Sequence, residues 1–573
     1  MLSCSSRSRV LLLLGALAIA ACSRLSSIWN SSPSQSSPEE IQSVQSTLAS
    51  QRRPDYVTGD DEDVHLWKTV QRFYKLRSYQ TAWISYSRPL PQADGLIRAL
   101  QQADREGLDP AAYGLDEIKL KRAQAASSNA LKKGTLDPRS VAALDIRFTF
   151  EFLKYGTHLL VGRVDPEDID PHWFSNPRKV DLANLLERAL DESRVEDALI
   201  QLAPPYPEYS ALRDALGHYR DIAAKGGWPK VPENAVIRNG IVREFVPLLR
   251  QRLIASGDLS SDAGAAAPEP EGKTVRVDRI LEEAIRGFEK RHGLKVDGVA
   301  DRELIAELNV PVERRIRQIE LNMERWRWLP ENLGQRHILV NIPDFQLRVF
   351  ENGTIQMTMR VVVGKKNENP TPIFSDAMTH IVFSPYWNIP ESIARKETIP
   401  HILTDPDYLA RNNLEVVTRS GQVVDPSTVD WSRAAEDFDF RLRQKPGRKN
   451  SLGGVKFMFP NQFNVYLHDT PAESLFGRLE RDLSHGCVRV EKPVELARYL
   501  LRDQPQWTES KIREAMQAGE EKTVRLKEPV PVHLLYWTAW VDSDGTPEFR
   551  EDIYGYDKKQ EDIMRGRPGR RGP

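Results

Sequence analysis

The chain has 573 residues, more than one hydrophobic core organises, so it must divide into domains. Lys and Arg total 80 against 81 Asp and Glu, a net charge of −1. That balance gives no basis for nucleic-acid binding; the one basic run, RGRPGRRGP at the C-terminus, reads as a solvated tail.

In chain order, Arg7 and Arg9 precede a mostly apolar run from Val10 to Ala21. A bilayer-spanning helix needs about 20 apolar residues, so this shorter run fits the core of a signal peptide, residues 1–21. It ends in Ile19-Ala20-Ala21-Cys22, which resembles a bacterial lipobox with Cys22 as the lipidation site. An ordinary signal peptide or an uncleaved anchor is the alternative. Ser23, where an aspartate would favour retention, points to the outer membrane, so the expected location is the periplasm, held by a lipid anchor. One acyl chain binds a membrane only marginally, and a triacylated cysteine would supply the several needed. Residues 22–54 are Ser-rich and read as a flexible tether.

Residues 55–230 carry helical patterns, as in VHLWKTVQRFY, where Leu66, Val70 and Phe73 recur at helical spacing. No catalytic constellation stands out there. A small module follows at 235–309, with two helical stretches around the linker-like SSDAGAAAPEPEGK. A connecting helix at 310–334 sets Ile316, Ile319, Met323 and Trp326 along one face between Pro311 and Pro330. From 335 to 545 the texture is β: the segment around Asn352-Gly353 reads as strand, tight turn, strand. A long polar, partly helical segment at 395–450 interrupts it, as a lid would. Residues 546–573 read as a C-terminal tail.

Of three cysteines, Cys4 would leave with the signal peptide and Cys22 would be lipidated, so Cys487 stands without a partner. Exported proteins pair their cysteines or lack them, and an inert buried thiol competes with a reactive one. The neighbours favour reactivity. His485 and His468 are both candidates for a base that activates the thiol. Gly486 permits close backbone approach and frees N–H groups to face an acyl oxygen. Arg489 adds a fixed charge able to grip a carboxylate. Histidines this scattered, with one mature cysteine, fail zinc spacing, so neither metal nor cofactor is expected. These residues describe a Cys-His acyl-transfer site, with a core cysteine beside a satisfied histidine as the alternative.

His468 followed by Ser484-His485-Gly486-Cys487-Val488-Arg489 resembles the signature of YkuD-type L,D-transpeptidases. NPTPIFSDAMTHIVFSPYWNIPESIA, SLGGVKFMFPNQFNVYLHDTP and RVEKPVELARYLL resemble the large, lid-bearing (YcbB-like) type, and FEKRHGLKVDGVADRELIAELN is similar to a helical peptidoglycan-binding domain. It departs from that domain at Ala300-Asp301, where Gly-Pro is usual. The resemblance implies a multidomain α+β protein: helical scaffold, small helical peptidoglycan-binding domain, and a mostly β, sandwich-like catalytic domain. It also implies chemistry. Cys487 would attack the carbonyl between diaminopimelate and the terminal D-alanine of a tetrapeptide stem. His468 would serve as base and then acid, with His485 and Gly486 shaping the site. Arg489, Tyr466 and Ser484 would contact substrate, and Trp387 and Asn388 would line the acceptor side. A second stem's diaminopimelate amine would accept the acyl group. Peptidoglycan stems and the membrane are the expected partners of a monomer. Water as acceptor would make an L,D-carboxypeptidase; a lipoprotein amine would make a wall-anchoring enzyme. A non-catalytic wall-binding lipoprotein is the rival of another class.

Overall fold

The computed structural model describes residues 36–566, apart from 59, 86–87, 127–136, 234–244, 265–277 and 435–438. The expected signal peptide and Cys22 lie outside the described residues. By contact the chain forms two compact units. Of the described residues, the first comprises those up to 104 with 109–159 and 180–203; the second comprises 105–108, 160–179 and those from 204 onward. The helical stretch expected over 55–230 thus contributes to both.

In the first unit, helix α1 (Pro38–Ala49) occupies residues expected to be tether. Its start is chemically specified. The Ser37 hydroxyl accepts the Glu40 N–H at 3.2 Å, the Glu40 carboxylate accepts the Ser37 N–H at 2.7 Å, and Val44 and Leu48 are buried a turn apart. Helix α2 (Asp61–Leu76) buries Leu66, Val70 and Phe73, as their spacing predicts. Helix α3 (Pro138–Val161) carries buried Asp145, which accepts the Tyr74 hydroxyl at 2.6 Å and the N–H groups of Ala82, Trp83 and Ile84.

In the second unit, α4 (Val246–Ala255), α5 (Arg279–Arg291) and α6 (Arg302–Leu308) share a small core of Leu249, Leu253, Leu281, Ile285, Phe288, Leu304 and Leu308. Asp301, at the departure noted above, caps α6 by accepting the Leu304 N–H at 2.9 Å.

Helix α7 (Val312–Arg327) buries Ile319, Met323 and Trp326, but also Arg315, Gln318, Asn322, Glu324, Arg325 and Arg327. Its polar groups are met by the chain's far end. Gln318 donates to Thr538 O and Arg550 O, Asn322 bonds Thr538, and Arg325 reaches Gln560 and Asp557. The tail expected from 546 is therefore folded through strand Pro547–Phe549 and helix α8 (Tyr556–Met564), because α7 would otherwise bury charges without partners. Glu324 shows the stakes. It is fully buried, pairs with Arg327 at 2.6 Å and accepts the N–H groups of Arg163 and Val164. Glu324→Ala leaves Arg327 buried and uncompensated, at a cost of about 3–5 kcal/mol. A lowered urea midpoint of the second unit checks it.

Thirteen strands build the region that follows: β1 (Arg336–Asn341), β2 (Gln346–Glu351), β3 (Thr354–Gly364), β4 (Phe374–Phe383), β5 (Trp387–Asn388), β6 (Leu414–Val417), β7 (Val423–Val424), β8 (Arg441–Gln444), β9 (Val455–Met458), β10 (Leu467–His468), β11 (Asp482–Ser484), β12 (Val488–Val490) and β13 (Lys522–Leu535). The β2–β3 hairpin turns at Asn352 and Gly353, both with positive φ (50° and 75°), as the sequence predicts. Nine strands run in the order β11-β3-β12-β10-β9-β4-β13-β1-β2, and β2 pairs again with β3. The sheet therefore returns on itself, and its facing halves share one apolar core that includes Val361, Val363, Ile381, Phe457, Leu467, Val488, Val532 and Leu534.

The remaining strands form a separate small sheet, β5-β8-β6-β7, inserted between β4 and β9. With short helices it packs around its own cluster of Ile389, Ile399, Val416 and Leu442. Among the described residues, no helix is long and apolar enough to cross a membrane.

Candidate active site

The site begins with two short strands. β10 and β12 run parallel, Leu467 opposite Val488 and His468 opposite Arg489, and the Val488 N–H donates to Tyr466 O at 3.1 Å. Leu467 and Val488 enter the core, so alternation turns Tyr466, His468, Cys487 and Arg489 to the other face. β9 lies antiparallel against β10 with Lys456 opposite His468. Lys456, His468 and Arg489 thus form one row across three strands.

Main-chain bonds fix the turn before the nucleophile. Ser484 Oγ donates to Cys487 O at 2.6 Å and accepts the Gly486 N–H at 3.2 Å. Gly486 has φ +107°, a conformation that suits glycine alone, and its carbonyl accepts from buried Thr371 Oγ1 at 2.8 Å. Thr371 Oγ1 also accepts the Gly364 N–H, and the Tyr554 hydroxyl donates to Gly364 O at 2.6 Å. On the other side, the Asn461 carboxamide bridges Phe459 O, Phe463 N and Val465, shaping the approach to β10.

His468 is buried and its Nδ1 donates to Asp469 O at 2.5 Å, which leaves Nε2 unprotonated. Burial, reinforced by the Arg489 charge, pushes its pKa down to about 3, so the imidazole is neutral. Cys487 is half-buried and its thiol donates to Asn464 O at 3.8 Å. Desolvation pushes the thiol up to about 11, against the pull of the Tyr466 hydrogen bond and Arg489. Arg489 Nε is buried and, among the described residues, has no hydrogen-bond partner. A neutral imidazole, on the strand that pairs with the one following Cys487, is the kind of group that takes a thiol proton and returns it in acyl transfer.

The fold thus brings together Cys487, His468, Tyr466 and Arg489, whose rings at 466 and 468 stand 5.8 Å apart. Ser484 and Gly486 hold the turn. His485 goes elsewhere: its Nε2 meets Glu397 Oε1 at 2.6 Å, on a π-helical turn (Ala394–Thr398) of the inserted segment. Such turns interrupt regular helices chiefly at functional places. Trp387 packs on the inserted segment's cluster and Asn388 is exposed, both in β5. Lys456, Glu397, Thr371 and Tyr554 were not evident from sequence; only Asn461, after Pro460, carries a local turn signal. Among the described residues, no cluster of His, Cys, Asp or Glu could hold a metal.

Among the described residues, the Tyr466 hydroxyl is the side-chain donor to the sulfur that favours the thiolate. Tyr466→Phe removes a charge-assisted bond worth about 1.5 kcal/mol, so alkylation of Cys487 by iodoacetamide at fixed pH slows about tenfold.

Three stretches match known domain families: a scaffold domain over 68–216, a "Putative peptidoglycan binding domain" over 242–308, and an L,D-transpeptidase catalytic domain (YkuD) over 335–532. A curated protein of Haemophilus influenzae, "Putative L,D-transpeptidase", is 35% identical over 242 residues, which are 42% of this chain and 48% of that protein. The match spans about half the length of that relative. Among solved structures, the L,D-transpeptidase from Xylanimonas cellulosilytica is 12% identical, covering 54% of this chain and 98% of that one, with a TM-score of 0.16. The Ldtfm-avibactam carbamoyl enzyme is 10% identical, covering 56% and 98%, also at 0.16.

Proposed function

Since this chain carries an L,D-transpeptidase catalytic domain, together with scaffold and peptidoglycan-binding domains, we propose that it cross-links peptidoglycan stems through a Cys487 acyl-enzyme. One observation carries the reading: His468, neutral and with only Nε2 free, sits on the strand beside the nucleophile.

In the first half-reaction His468 Nε2 takes the thiol proton as sulfur attacks the carbonyl between diaminopimelate and D-alanine. The Cys487 N–H, at the Gly486 turn, is the amide nearest the forming oxyanion. His468 then protonates the leaving amine, the C–N bond breaks, and D-alanine departs. In the second half-reaction a diaminopimelate side-chain amine attacks the thioester, gives its proton to His468, and expels the thiolate, which His468 reprotonates. Arg489, whose buried Nε has no hydrogen-bond partner among the described residues, is suited to a donor carboxylate. The inserted segment, tied to the nucleophile's turn through Glu397 and His485, would exclude water while the thioester waits. Residues acting on wall stems imply a place outside the cytoplasm, with Cys22 as the proposed lipid anchor.

The test is intact-mass analysis with a diaminopimelate tetrapeptide. An acyl-enzyme, released D-alanine and a dimer of stems support cross-linking. Tripeptide without dimer would make the activity a carboxypeptidase. A folded sample with no adduct and no product would leave a wall-binding scaffold.

A further inference from the structure

The row Lys456–His468–Arg489 sets one cation on each side of the histidine. Lys456 is half-buried, its ammonium 6.0 Å from the Tyr466 ring centre, which itself lies 5.8 Å from the His468 ring. Among the described residues, no carboxylate forms an ion pair with it. Among the described residues, Glu521 is an acid whose charge reaches it, and that carboxylate accepts the Tyr386 N–H at 2.8 Å. Burial depresses the Lys456 pKa, so the fold tolerates a cost to keep an amine here. Arg525 on the same face adds positive charge, and His380, its pKa lowered by burial and by the Lys456 and Arg525 charges, supplies no negative partner.

The chemistry proposed above supplies a partner. The departing D-alanine presents an amine and a carboxylate on one D-configured carbon. The incoming side-chain end of diaminopimelate presents the same two groups on a carbon of the same hand. Both amines exchange a proton with His468, so both occupy one place. Their carboxylates, two bonds away, fall within a side chain's length of it. Cross-strand neighbours stand about 5 Å apart at Cβ, within reach of a lysine.

We infer that Lys456 determines specificity for the amine side of the reaction, binding the carboxylate of the D-amino acid that leaves and of the one that enters. Arg489, next to the sulfur, remains for the donor. The inference rests on the transpeptidase reading. It explains how one small site can prefer an amine that carries a carboxylate over other amines and over water.

The experiment forms the acyl-enzyme from tetrapeptide and follows its discharge to deuterated D-alanine or to D-alaninamide, which lacks the carboxylate. Wild type, Lys456→Met and Lys456→Arg are compared. Wild type should favour D-alanine, and Lys456→Met should lose that preference by about 10–100-fold in kcat/KM, mostly through KM. Lys456→Arg should keep it. A thermal melt that matches wild type checks that each variant is folded. An equal fall for both acceptors, or an unchanged ratio, would overturn the inference and make Lys456 structural. No acyl-enzyme in wild type would overturn the transpeptidase reading and this assignment with it.

Discussion

Cys487→Ala is expected to abolish the D-alanine release proposed above and to remove the acyl-enzyme adduct formed with a tetrapeptide stem. Loss of a covalent nucleophile costs about 10⁴–10⁶ in rate. The fold should not notice. The turn is held by Ser484 Oγ, the Gly486 carbonyl and Thr371, and none of these bonds uses the sulfur. The thiol itself meets only Asn464 O, at 3.8 Å, and the exchangeable Tyr466 hydroxyl. Stability should change by less than about 1 kcal/mol. Mass analysis with and without the tetrapeptide, beside a thermal melt, checks both halves; a variant that still acquires the adduct would relocate the nucleophile.

His468→Gln slows acylation by about 10³–10⁴-fold, and its pH profile is more telling than its rate. With the thiol near 11 and the imidazole near 3, both partners are neutral across the range between. At pH 7 thiolate alone would be present at roughly one part in 10⁴. Wild type, transferring the proton within the pair, should therefore show a broad plateau. The variant depends on free thiolate and should gain tenfold per pH unit towards about 11. A variant profile as flat as wild type would remove His468 from the proton path. Stability changes with the opposite emphasis. The unfolded chain protonates this histidine near 6.5 and the folded chain near 3, so its share of stability is complete above 6.5 and lost as pH falls between them. His468→Gln should flatten that acid slope.

Local chemistry was legible in the sequence where neighbours in the chain supply it. The Asn352-Gly353 turn and the α2 spacing needed only adjacent residues. The adjacency of the strand ending at His468 to the strand that follows Cys487 needed only a segment short enough to fold back. What escaped notice depends on register. Lys456 faces His468 because β9 and β10 pair at that offset, and a shift of one residue would turn it into the core. Glu397 meets His485 across 88 positions of chain, and no periodicity signals such a contact. The α1 helix is a different kind of miss. Ser37 and Glu40 announce a capping box, but the serines around them read as tether. The folded C-terminus was hidden because its role is to answer polar groups on α7, which looked amphipathic when only its apolar residues were followed.

The closed sheet also sets the order in which the domain can be made. β13 completes the ring between β4 and β1, and it is synthesised after every other ring strand. Its parallel partner β1 lies almost a whole domain length earlier in the chain. Pairing so remote must close a long loop before its contacts repay the lost freedom, which makes such topologies slow to fold. Until β13 arrives, β1 and β4 each present an unsatisfied edge of backbone donors and acceptors, open to pairing with another chain. Catalytic competence should consequently appear late in refolding, after helical signal has recovered, and yield should fall as protein concentration rises.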